Sequence, residues 1–247
     1  MLRLFGWYSE PSAASTTQPI STTNAAHHPS SLFGEKNTET ELEKSVERLK
    51  NNDPSLTYLS LSYKSIGFDG TNAIAKALNV NTVLTELFLQ GNSIGDHGAK
   101  AIADALQVDR NLTTLHLSDD SIGVKGAKAI AKALMSNTVL TKLSLNYNSI
   151  GDDGAKDIAK VLKMNTFVTE LGLKYNSIGF DGANNIAEAL MNNTVLTKLD
   201  LNGNRIGDDG AKAIANALKN NKVLTTLNLN STSIGDDGAK AIAEALK

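Results

Sequence analysis

The chain contains no cysteine, which removes disulfide frameworks, thiolate metal sites and cysteine nucleophiles and fits a reducing compartment. Proline is scarce as well: Pro11, Pro19, Pro29 and Pro54 are the only four, so nothing beyond residue 54 carries this helix and strand breaker. Neither sign of charge dominates. With 24 Lys and Arg against 26 Asp and Glu, the formal charge of -2 supplies no long-range attraction toward nucleic acid or anionic lipid. No apolar run approaches the roughly 18 residues a membrane-spanning helix needs, and the stretch from Met1 to Trp7 is too short for a secretory hydrophobic region. These absences predict a soluble, cytoplasmic protein with no nucleic acid and no membrane as partner. At 41% hydrophobic and 20% charged, the chain has enough apolar mass for a sizeable core.

What is present is a repeat. Units beginning at Leu56, Leu84, Leu112, Leu140, Val168, Leu196 and Leu224 follow one another every 28 residues without an insertion, a period that signals a stacked array. In the second unit Leu84, Leu87 and Leu89 have the spacing of a short strand, with Glu86, Phe88 and Gln90 on its other face. Gly95 and Gly98 recur in all seven units, as Gly67 and Gly70 at one end and Gly235 and Gly238 at the other, and predict a tight turn with special dihedrals. Ala99, Ile102, Ala103 and Leu106 then form one stripe of an amphipathic helix, with Asp96 placed to cap its N-terminus. Strand, turn and helix make one coil, so residues 56–247 read as an α/β solenoid of seven repeats with parallel inner strands and outer helices. Strands stack about 4.8 Å apart and helices roughly 8 to 10 Å apart, so the array must bend, by about 20 to 25° per repeat.

The Leu-x-x-Leu-x-Leu-x-x-Asn-x-Ile-Gly pattern resembles the leucine-rich repeat, and the 28-residue unit with a full helix resembles the ribonuclease-inhibitor subtype also seen in NOD-like receptors. The resemblance implies a right-handed horseshoe whose shared activity is protein binding. It also implies that the asparagine after each strand bonds neighbouring backbones in a ladder, a role that falls to Asn92, Asn148, Asn176 and Asn204. Lys64, Asp120 and Thr232 depart from it, and Asp120, when ionised, accepts hydrogen bonds without donating them.

The ends differ from the array. Residues 1–38 are rich in Ser, Thr, Ala and Pro, with only Arg3, Glu10, Glu35 and Lys36 charged, and read as a disordered tail; an export signal into a host cell, as in a secreted bacterial effector, is the functional alternative. Residues 39–55 hold a capping helix, with Leu42, Val46 and Leu49 on one face, and Thr38 and Glu41 spaced as a capping box. The last repeat has no equivalent cover. Asn228, Asn230, Ser231 and Thr232 point to a polar self-cap, hence to a monomer with edge association through the last repeat as the alternative.

Strand positions facing away from the core form the surface on which a protein partner is expected to sit. Its candidate contacts are Tyr58, Glu86, Lys142, Glu170 and Lys198 in one column, Phe88, His116 and Asp200 in the next, and Tyr63, Tyr147 and Tyr175 at the edge. The paired carboxylates of the Gly-Asp-Asp-Gly turns recur with the helix starts and read as caps rather than as catalytic or calcium sites. His97 and His116 lack triad partners, and no glycine turn continues as a phosphate-binding loop. The expected function is therefore a non-enzymatic protein-interaction scaffold without cofactor or metal. The alternative is a GTPase-activating protein resembling the Ran GTPase activator, with Arg205 as its charge-stabilising residue.

Overall fold

The computed structural model describes residues 35–247, with side chains from residue 41 onward. Most of the segment read as a tail, together with its export alternative, lies outside the described residues. The described chain opens with helix α1 (Glu35–Lys50), followed by seven strand–helix pairs. These are β1 (Tyr58–Ser60) and α2 (Gly67–Leu78), β2 (Glu86–Phe88) and α3 (Gly95–Leu106), β3 (Thr114–His116) and α4 (Val124–Leu134), β4 (Lys142–Ser144) and α5 (Gly151–Leu162). Then come β5 (Glu170–Gly172) and α6 (Phe180–Leu190), β6 (Lys198–Asp200) and α7 (Gly207–Asn220), and β7 (Thr226–Asn228) and α8 (Asp236–Ala245).

The strands form one parallel sheet in chain order, each paired with the next. Its register sets Leu59, Leu87, Leu115, Leu143, Leu171, Leu199 and Leu227 side by side. These leucines, the turn isoleucines Ile94, Ile122, Ile150, Ile178 and Ile206, and the Ala, Ile and Leu stripe of every helix from α2 to α7 are buried in one continuous core. Each helix packs on its neighbours in sequence, so the fold has two layers, sheet and helices, as the alternating leucines and the helical stripe dictate.

Helix α1 lies against α2, with Val46 and Leu49 buried and Leu42 packed beside Gly70. The Asn81 amide donates to Leu49 O at 2.8 Å, and Lys64 pairs with Glu41 at 2.9 Å. Because the helix begins at Glu35, Thr38 stands inside it rather than at its N-cap, so the capping-box reading is corrected. Glu35 and Lys36 are adequate helix formers and carry the helix one turn further back.

The turns hold a second correction. Asp96 does not cap its own helix: its Oδ1 accepts from Gly123 N at 2.7 Å and Gly126 N at 2.8 Å, at the start of α4 in the next repeat. Asp152 does the same for Gly179 and Gly182, and Asp208 for Gly235 and Gly238. Repeats 1, 3 and 5 carry Phe68, Val124 and Phe180 at this position instead, so capped and uncapped helix starts alternate. The first glycine of the turn follows suit: it is left-handed at Gly95, Gly151 and Gly207, but near φ -100° at the capped Gly123, Gly179 and Gly235. The second glycine has a different reason. It sits against an alanine of the preceding helix, as Gly126 does on Ala99, and needs space rather than a special dihedral.

Replacing Asp152 with Ala should cost about 1 to 2 kcal/mol, the range for a lost N-cap. Replacing its exposed neighbour Asp153 should stay within about 0.5 kcal/mol. Urea melts of both variants check this, and equal losses would refute a cap acting between repeats.

Candidate functional site

The strand face away from the core carries the candidate contacts, and the parallel register sets their spacing. Tyr58, Phe88 and His116, on β1, β2 and β3, stack in a row with ring centroids 5.0 and 4.4 Å apart. Tyr58 is 55% exposed, while Phe88 and His116 are half-buried between their neighbours. Burial, helped by the nearby Lys142 ammonium, lowers the His116 pKa, so the imidazole is neutral in this row and serves as an aromatic surface. Glu86 is half-buried beside them.

A second cluster sits just beyond the C-terminal ends of β4 and β5. Tyr147 and Tyr175 stack with centroids 5.0 Å apart and planes at 14°, and the Lys174 ammonium lies 4.9 and 5.6 Å from the two ring centres. Burial alone would depress the Lys174 pKa, but its bond to Tyr147 and the charge of Asp200 raise it overall. Tyr63, Tyr147 and Tyr175 all have φ between 51 and 57°, a region costly for a bulky side chain. Each is held there by its own N–H, donated to Gln90 O, Lys174 O and Asn202 O of the next coil at 2.7 to 2.8 Å. At the same turn position Gly91 and Gly203 leave the space into which the Tyr63 and Tyr175 rings lean.

The charged column is largely self-neutralised. Glu170 Oε1 lies 2.9 Å from Lys198 Nζ and 3.9 Å from Lys142 Nζ, so three of the candidate contacts pair with one another. Asp200 is 3% exposed and accepts from Asn202 N at 2.9 Å; burial raises its pKa. It is thereby withdrawn from the open surface, because beyond β3 the second column is closed: Ser144, Gly172, Asp200 and Asn228 are all buried. The sequence stripe treated that column as uniformly open and missed this. It also passed over Lys174, whose place between two tyrosines one repeat apart was the available signal.

Asn92, Asn148, Asn176 and Asn204 are buried and form the ladder that the resemblance implies. Each amide donates to the leucine carbonyl 31 residues earlier, Leu61, Leu117, Leu145 and Leu173, at 2.8 to 2.9 Å. Their Oδ1 atoms accept backbone N–H groups of the preceding coil, as Asn148 does from Asp120 and Ile122. A second, outer ladder went unnoticed in the sequence although its period is the same. Asn81, Asn137, Asn165, Asn193 and Asn221 donate to Leu49, Leu106, Leu134, Leu162 and Leu190 O at 2.7 to 2.9 Å. Asp109 and Asp120 occupy one rung of each.

Other candidates stand apart. His97 meets the edge of Phe68, at 6.2 Å between ring centroids, and Arg205 is exposed on the turn before α7. Among the described residues no group of three or more metal-ligating side chains assembles, and no helix is long and apolar enough to cross a membrane.

Comparison with known proteins sets these surfaces in a family. The TMOD/LMOD leucine-rich domain matches residues 38–180, a segment holding the row from Tyr58 to His116 and the Tyr147–Tyr175 pair; the general leucine-rich repeat matches 192–215 and 220–243. No curated protein matches. Among solved structures, "Leiomodin-1 Actin-Binding Site 2 (ABS2)" is 34% identical, with a TM-score of 0.52, over 54% of this chain and 79% of that one. The C-terminal domain of a Caenorhabditis elegans tropomodulin is 10% identical, with a TM-score of 0.40, over 83% and 91%. More than half of the chain lies within the matched segment, so this leucine-rich-repeat protein belongs to the TMOD/LMOD leucine-rich domain family.

Proposed function

We propose that this chain is an actin-binding leucine-rich-repeat domain that docks its partner on the strand face. The observation that carries the reading is coincidence. The segment matched by the TMOD/LMOD family, residues 38–180, contains both aromatic clusters of the strand face, and the 34% identical relative is an actin-binding site of leiomodin-1. Tyr58, Phe88 and His116 offer a continuous ring surface over three strands. Tyr147, Tyr175 and Lys174 add a second anchor beyond β4 and β5, and Tyr63 leans its ring over Gly91. The paired charges of Lys142, Glu170 and Lys198, with Glu86, frame these anchors and contribute selectivity rather than bulk affinity.

Binding of the purified chain to monomeric and filamentous actin tests this. Phe88→Ala should weaken binding by about 2 kcal/mol, the scale of an aromatic anchor, and, because it also removes the ring contacts to Tyr58 and His116, should lower stability by about 1 kcal/mol, so binding is compared at temperatures where both proteins are folded. Lys156→Ala on α5 should leave binding unchanged. Folded wild type that ignores both forms of actin, or a Phe88, Tyr147 and Tyr175 triple alanine variant with wild-type affinity, refutes the reading.

A further inference from the structure

The two asparagine ladders that stitch the coils together are interrupted at the same seam. Asp120 replaces asparagine just after β3, and Asp109 replaces it just before β3. In each, Oδ1 does the accepting that asparagine Oδ1 would do: Asp120 from Asn92 N at 2.7 Å, Asp109 from Asn111 N and Leu112 N at 2.9 and 2.7 Å. The other oxygen, Oδ2, takes the place of the amide nitrogen, and in both residues it is buried without a hydrogen-bond partner. The ladder register identifies the acceptors it should serve. Counting 31 residues back, as every intact rung but that of Asn81 does, gives Leu89 O for Asp120 and Leu78 O for Asp109. A carboxylate oxygen facing a carbonyl can offer nothing; a protonated carboxyl can donate, as the amide does.

We infer that Asp109 and Asp120 form a proton-dependent lock between the β2 and β3 coils, closed when both carboxyls hold their protons and weakened when they ionise. The surroundings support this. Asp109 is 3% exposed and Asp120 is fully buried. Burial raises both pKa values, that of Asp120 to about 7, and no cation offsets it there. The charge acting on Asp120 is Asp119, which pushes the same way, and its ladder neighbours Asn92 and Asn148 are neutral amides. For Asp109 the nearby charge is Arg110, which only partly opposes burial; its ladder neighbours Asn81 and Asn137 are again amides. A raised native pKa means that the folded state binds the proton more tightly than the unfolded chain does. The stabilisation is therefore complete below about pH 4 and is lost as pH rises toward 7. Phe88 and His116 stack across this same seam, so its opening also disturbs the aromatic row. The lock is independent of which partner docks there.

Melting of the full chain between pH 5 and 8 tests the inference in the wild type, Asp109→Asn, Asp120→Asn and the double variant. Asparagine is the residue of every intact rung, so the variants complete the ladders. The wild-type midpoint should fall from pH 5 to pH 8 by on the order of 5 °C more than that of the double variant, and the double variant should melt higher at pH 8. His116 and Asp200 titrate alike in both proteins and cancel in the difference. Hydrogen exchange at the Asn92 amide, corrected for its intrinsic pH dependence, should quicken at pH 8 only where Asp120 is present. A double variant with the wild-type pH profile, or with a lower midpoint at pH 8, overturns the lock.

Discussion

Asn148→Ala should cost about 3 kcal/mol and lower the melting midpoint by on the order of 10 °C. The side chain is 7% exposed and meets two coils at once. Its amide donates to Leu117 O at 2.8 Å and Leu145 O at 3.0 Å, and its Oδ1 accepts from Asp120 N at 3.2 Å and Ile122 N at 2.8 Å. Alanine removes these four bonds and a fifth, to Asn146 O at 3.1 Å, which keeps the Asp119 N–H, and leaves the other buried groups facing an emptied site. Leu145 O keeps the Asn176 amide, so the penalty falls chiefly on the two orphaned N–H groups and Leu117 O, at about 1 to 3 kcal/mol each before relaxation. Urea unfolding measures it. A loss under about 1 kcal/mol would mean that water replaces the rung and that the ladder adds little cohesion.

Gly126→Val should be at least as severe, at about 3 kcal/mol or more, for a steric reason. A Cβ at this position would lie 2.7 Å from Ile122 Cγ2, 2.8 Å from Asp96 Oδ1 and 3.0 Å from Ala99 Cβ. Two further methyl groups would push α4 off α3 and displace the aspartate that caps it, so overpacking and cap loss would act together. Gly126→Ala, with a single methyl, should fall clearly short of the valine variant. A valine protein melting within 2 °C of wild type would show that the helices separate freely, against the tight glycine-on-alanine contact.

How much of this was legible follows from the scale of each interaction. The 28-residue register set the strand face, the helix stripe and the inner ladder at once, because every leucine and asparagine in a column meets the same neighbours. Asp96 was legible as a cap but not in its target: the turn seen alone offers its own helix, and only stacking brings Gly123 and Gly126 within reach. Asp200 looked open by alternation, yet it is buried and hydrogen-bonded to Asn202 N and the Asn228 side chain. Lys142, Glu170 and Lys198 share one column in the sequence already; the stacked strands add the distances, 2.9 Å from Glu170 to Lys198 and 3.9 Å to Lys142. The outer ladder was within reach of sequence, since Asn81, Asn137, Asn165, Asn193 and Asn221 share the period of the leucines.

The alternating caps bear on how such an array can change its copy number. An aspartate that reaches into the following turn makes a 56-residue cassette, one coil that gives the cap and one that receives it, out of what the leucines repeat every 28. Excising residues 84–139, a whole cassette, sets the Phe68 turn before the uncapped Gly151 turn, a junction of the kind already found between repeats 3 and 4. Excising residues 112–139 alone sets Asp96 before that same turn, whose Gly151 N–H is committed to Asn176 O and whose φ is +61°. Unequal crossing-over within the array is thus better tolerated in even steps, although the leucine register alone would permit either.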